Sequence, residues 1–117
     1  MIRIVFAALA SLVFITSAEA ANKLYITEFA AFQNGGPQIA EVPRVASQTV
    51  DFSGGVASSS AFNSQTRYVR LLCDSRCSVR VTTAGTNATT SDMPMAADSP
   101  EYFKVYPGDK VSVIANP

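Results

Sequence analysis

Past its first twenty residues the chain alternates apolar and polar positions in short bursts, and none of it settles into a helical period. KLYITEF (23–29) alternates and is rich in β-formers, so it predicts a strand. QNGGPQ (33–38) reads as a turn, and IAEVPRV (39–45) as extended chain whose Pro43 belongs at an edge or bulge. SQTVDF (47–52) is a short strand. SGGVASSSAFNSQ (53–65) is small and polar, and its pattern fits a loop or an irregular edge strand equally. TRYVRLLCD (66–74) and CSVRVTT (77–83) make the best hairpin, AGTNATTSD (84–92) is a loop, and MPM (93–95) is a brief strand end. EYFKVY (101–106) and KVSVIA (110–115) flank Pro107-Gly108-Asp109, which suits a type II turn with proline fixing φ and glycine taking φ > 0. Six to eight short strands separated by turn signals predict an all-β domain, a small antiparallel β-sandwich or jelly-roll-like barrel.

The hairpin reading has a definite register. With Asp74-Ser75-Arg76 as a three-residue loop, Cys73 faces Cys77, Leu71 faces Val79 and Val69 faces Val81, all on one apolar face. The other face then sets Arg70 opposite Arg80, an unfavourable pairing of like charges. The two arginines either splay into water or pair with nearby acids such as Glu101, or else face an interface that supplies carboxylates or phosphates. Facing strand residues lie roughly 4.5–5.5 Å apart, within the disulfide range of about 4.4–6.8 Å. Cys73 and Cys77 are therefore a disulfide or two buried thiols, and the ring they would close is too short to remove much chain entropy. The C-x3-C spacing is not the redox motif C-x-x-C.

The compartment bears on that choice. MIRIVFAALASLVFITSAEA (1–20) carries one positive charge at Arg3, an apolar run from Ile4 to Ile15, and Ala18-Glu19-Ala20 as a small-x-small cleavage signature. That is the layout of a signal peptide, expected to be cut after Ala20 and to leave one domain, 21–117, with no membrane span. Export favours the disulfide.

Composition narrows the chemistry. Nine basic residues balance nine acidic ones, which gives no footprint for nucleic acid or anionic lipid. With no histidine in the chain, a Ser-His-Asp or Cys-His arrangement is impossible within it, and two cysteines alone do not close a zinc site. Asp92, Asp98, Glu101 and Asp109 lack calcium-loop spacing and read as solvated loop charges. Asn87-Ala88-Thr89 is a glycosylation sequon, meaningful only in a eukaryotic secretory pathway. The expectation is a non-enzymatic protein with no cofactor.

From Lys23 onward, KLYITEFA, QTVDFSGG, SAFNSQTRYVRL, CSVRV and MPMAADSPEYFKVYPGDKVSVI resemble a group of small β proteins encoded by tailed phages and prophages. RYVRL and the ending EYFKV-PGDKVSVI carry most of the likeness. The resemblance implies a virion structural protein, some members of the group being thought to decorate heads, and it brings no active site with it. It sits uneasily with the leader, because phage heads assemble in the cytoplasm. Two settings follow. One is a virion protein whose leader is spurious; the other is an exported periplasmic or surface interaction module of the same fold. Partners are expected to be further copies of the chain or a protein surface such as a capsid, met through Arg70 and Arg80.

Overall fold

The computed structural model describes residues 22–30 and 43–117. The turn expected at 33–38, most of the extended stretch 39–45 and the cleavage site at Ala18 and Ala20 lie outside the described residues. Among the described residues eight strands form, in chain order: β1 Lys23–Phe29, β2 Ala46–Asp51, β3 Ala57–Ser58, β4 Tyr68–Cys73, β5 Cys77–Thr82, β6 Met93–Met95, β7 Glu101–Lys104 and β8 Lys110–Ala115. They build two four-stranded antiparallel sheets, ordered β2-β1-β4-β7 and β3-β8-β5-β6. The undecided stretch 53–65 holds only the two-residue strand β3, an edge strand pairing Ala57 with Val113 and Ser58 with Ser112.

The strand orders have a simple reading. When β2 to β8 are taken as the first seven strands of a jelly roll, both sheets follow jelly-roll order. The place of the eighth strand, between the first and third, is held by β1 from the other end of the chain. Only β1–β2 and β5–β6 join neighbours within a sheet; every other connection crosses the core.

Alternation fixes what fills that core. Leu24, Ile26, Val50, Val69 and Leu71 point inward from the first sheet and meet Val79, Met95, Val111 and Val113 from the second, all buried. Each such side chain contributes about 1.5–3 kcal/mol of burial. Phe52 and Phe62, also in this cluster, close the sandwich from the loops.

The hairpin expected between β4 and β5 does not form. β4 pairs with β1 and β7, and β5 pairs with β8 and β6, so the two strands lie in opposite sheets. Asp74-Ser75-Arg76 is an arch over the edge of the core rather than a hairpin loop. The inward face was read correctly, since Val69, Leu71, Cys73, Cys77 and Val79 are all buried. An alternating pattern states which side chains face the core but not whether two strands meet edge to edge or face to face. Each strand found both its edge partners elsewhere, so nothing remained for the hairpin.

The Pro107-Gly108 turn forms as its sequence requires. Gly108 has φ +86° and the Asp109 N–H donates to the Tyr106 carbonyl at 3.1 Å. Its flanking strands, β7 and β8, also go to opposite sheets.

Candidate binding face and the disulfide clasp

Cys73 and Cys77 are joined in a disulfide, with Cα atoms 6.5 Å apart, and link the end of β4 to the start of β5 across the two sheets. The arch they close gathers both ends of the domain. The Lys23 N–H donates to Asp74 Oδ1 at 2.7 Å, and the Asp74 N–H returns a bond to the Lys23 carbonyl at 3.1 Å. Ser75 Oγ lies 2.6 Å from Asn22 Oδ1, and the Asn116 N–H donates to the Arg76 carbonyl at 3.1 Å. The Cys73 carbonyl accepts from the Asp98 N–H at 2.8 Å. The cysteines thus fix a clasp holding the start of β1, the tail of β8 and the loop before β7.

The expected opposition of Arg70 and Arg80 is overturned with the hairpin, because they stand on the outer faces of different sheets. Arg80 is already engaged: its Nε and Nη2 both donate to Asp92 Oδ1, at 3.0 and 2.9 Å. Asp92 belongs to the loop that closes the outer face of the second sheet. The Ala88 N–H in that loop donates to Ser112 Oγ at 2.9 Å. Asn116 Nδ2 donates to Ser78 Oγ at 2.8 Å and to the Thr90 carbonyl at 3.4 Å. Ser78 and Ser112 are fully buried beneath this cover, small enough on the sheet surface to let backbone approach.

The Thr89 backbone N–H first, then the Arg80 side chain, hold the Asp92 carboxyl below its ordinary value of 3.8. A carboxylate depressed in the folded state stabilises fully above its unfolded pKa, and that contribution is lost as pH falls through the lower folded one. The amide signals of Thr89 and Ala88 should therefore hold steady from neutral pH to about 4 and shift only below it. In Asp92→Asn they should be displaced at every pH, which an NMR titration of both proteins checks.

The outer face of the first sheet carries different residues. By register it presents Ser47, Thr49 and Asp51 from β2, Lys23, Tyr25, Thr27 and Phe29 from β1, Tyr68, Arg70 and Leu72 from β4, and Tyr102 and Lys104 from β7. Alternation across buried Val105 keeps Tyr106 on the Lys104 side, with Lys104 Nζ 5.7 Å from the ring centre. All four tyrosines of the chain therefore lie on this side. Phe29 and Tyr68 face each other in register, stack with centroids 5.0 Å apart, and are buried. Tyr25, Tyr102 and Tyr106 are exposed, by 41, 53 and 66%. Arg70 lies between Thr27 and Tyr102 in register, half-buried, and Leu72 lies beside Tyr25. Glu101, a proposed partner for the arginines, sits at the position of Leu71, on the other side of the sheet from Arg70.

The four acids considered for calcium do not converge, and among the described residues no group of three His, Cys, Asp or Glu could hold a metal ion. Asp98 and Glu101 are exposed loop and strand-end charges, as read. Asp92 and Asp109 are structural acceptors instead, Asp109 taking Thr83 Oγ1 at 2.9 Å and the Tyr106 N–H at 3.1 Å.

One buried group escaped the sequence reading. Glu28 is 1% exposed, and its carboxylate accepts the Asn63 N–H and Thr66 Oγ1 at 2.8 Å each and Gln48 Nε2 at 3.2 Å. Gln48 in turn binds Ser60 through both its amide atoms, so the long crossing from β3 to β4 is tied to the first sheet. The signal was present in KLYITEF, where Glu28 follows Leu24 and Ile26 on the inward face.

Among the described residues no helix is long and apolar enough to cross a membrane. Comparison with protein-family models, curated proteins and solved structures finds no match.

Proposed function

We propose that this protein is a non-enzymatic virion structural β-sandwich of phage or prophage origin, which works by seating on a protein surface such as a capsid. The observation that carries the binding part is the inequality of its two outer faces. The second sheet is covered by its own loop and its arginine is paired. The first sheet presents Tyr25, Tyr102, Leu72 and Arg70 together on its outer face. Tyrosine and arginine around an apolar centre is the composition of interface hot spots. The virion part rests on the resemblance of the quoted segments, and those segments overlap β1, β2, β4, β5, β6, β7 and β8 of the sandwich. Mass spectrometry of purified particles and of cell fractions from the native host tests it. Enrichment in particles supports the virion reading.

A second reading has one observation in its favour. The Cys73–Cys77 disulfide behind a signal-like leader suits an exported periplasmic or surface module. Recovery solely in the periplasmic or secreted fraction, starting at Ala21, would select it over the virion setting.

A further inference from the structure

We infer that the outer face of the first sheet recognises an acidic protein surface, with Arg70 and Lys104 as the groups that read its carboxylates. The inference rests on the binding reading above and names the chemistry of the partner. Arg70 has no hydrogen-bond or ion-pair partner among the described residues, whereas Arg80 is held by Asp92 and Arg67 donates to the Ser64 and Thr66 carbonyls. Among the described residues the Lys104 ammonium meets only the Tyr106 ring. The remaining cation on this face, Lys23, is opposite Asp51 in register, so it brings its own counter-charge. Asp51 is held ionised by the Ser53 hydroxyl and N–H. The face therefore carries two unbalanced positive charges in a chain whose total is zero.

Charge complementarity selects among occupants. A second copy docked face to face would bring together two faces of the same net positive charge, a repulsive contact. A polyanion such as nucleic acid binds through many phosphates at once, and two cations are too few for that. A protein surface offering one or two carboxylates beside apolar side chains satisfies Arg70 and Lys104. It also covers Tyr25, Leu72 and Tyr102. Arg70, half-buried and lying between Thr27 and Tyr102 in register, carries a planar guanidinium whose fork matches a carboxylate bidentately.

The test uses the full-length protein and a random glutamate–tyrosine copolymer as the acidic polypeptide probe, with oligo(dT) and alginate in parallel. Binding is read by biolayer interferometry at low and at physiological salt. The expected result is copolymer binding that weakens with salt. It should fall about tenfold or more in Arg70→Ser and measurably in Lys104→Ser. Arg76→Ser, which removes the same charge from the exposed arch, should bind as wild type. Thermal melts confirm that each variant is folded, and Lys104, being exposed, provides a substitution with no core contact. Stronger binding to oligo(dT) or alginate than to the copolymer would overturn the inference. So would equal loss in Arg76→Ser, no binding to any probe, or a concentration-dependent dimer abolished by Arg70→Ser. Particle content in the fractionation experiment is independent of every one of these outcomes.

Discussion

Replacing Cys73 and Cys77 together by alanine is expected to lower the melting temperature by roughly 12–24 °C. The ring from Cys73 to Cys77 is short, and the chain-entropy relation assigns closing it only about 2 kcal/mol. The fold adds what ring length leaves out. Both cysteines are fully buried, so two alanines leave vacated volume between the sheets, worth about a further 1 kcal/mol. Each kcal/mol moves the midpoint of a domain this size by roughly 4–8 °C. The loss is also expected to have a place. The arch carries the bonds from Lys23, Asp74 and Asn116, so those amides should lose hydrogen-exchange protection before the amides of Val79 or Val111. Calorimetry and amide exchange on wild type and double variant read both effects. An unchanged midpoint, or a loss of protection spread evenly over the sandwich, would show that the arch is not a clasp.

Glu28→Ala is expected to cost about 3–5 kcal/mol, as much as truncating a large core side chain. The carboxylate is the common acceptor for Asn63, Thr66 and Gln48, and Thr66 is itself fully buried. Alanine leaves the fully buried Thr66 hydroxyl without its acceptor and removes the anchor of Asn63 and Gln48. Glu28→Gln keeps the shape and one acceptor oxygen, and it should cost about 1–2 kcal/mol. Chemical denaturation of the three proteins supplies the comparison. Because Glu28 ties the crossing loop to the first sheet, the alanine variant should also be cut early by proteases near Ser60 to Gln65. Equal stability of the glutamine and alanine variants would mean that the carboxylate organises nothing.

How much of this was legible depends on the range of each interaction. Strand identity is local, and the alternation in KLYITEF, YVRLLC and KVSVIA gave both the strands and their inward faces. The Pro107-Gly108 turn is local too, because proline and glycine set their own dihedrals. Pairing is not local. Cys73 and Cys77 face the same core from opposite sheets, and the alternation that suggested a hairpin is equally satisfied by an arch. Nothing in the order of residues says that β1 enters between β2 and β4, since that choice is settled by the whole set of apolar faces at once. The proposed binding face was unreadable for the same reason. Tyr25, Arg70 and Tyr102 are far apart in sequence and become neighbours only through the order β1-β4-β7. Arg70 was singled out correctly as an outward cation, but its supposed companion Arg80 is committed to Asp92 on the opposite surface.

The tyrosines give the most direct measurement of the central claim, that the chain works by docking the outer face of its first sheet on another protein. Nitration with tetranitromethane, mapped by mass spectrometry, should be run on the isolated protein and on the same protein in its native particle or cell fraction. Lys110, on the outer face of the second sheet, can be acetylated in parallel as the reference. The account predicts that Tyr25, Tyr102 and Tyr106 react in the isolated protein and are protected in the assembled one. Tyr68 should stay unreactive in both, and Lys110 should be modified equally. Equal nitration of Tyr25 and Tyr102 in the free and assembled states, or protection that falls on Lys110 instead, would contradict it.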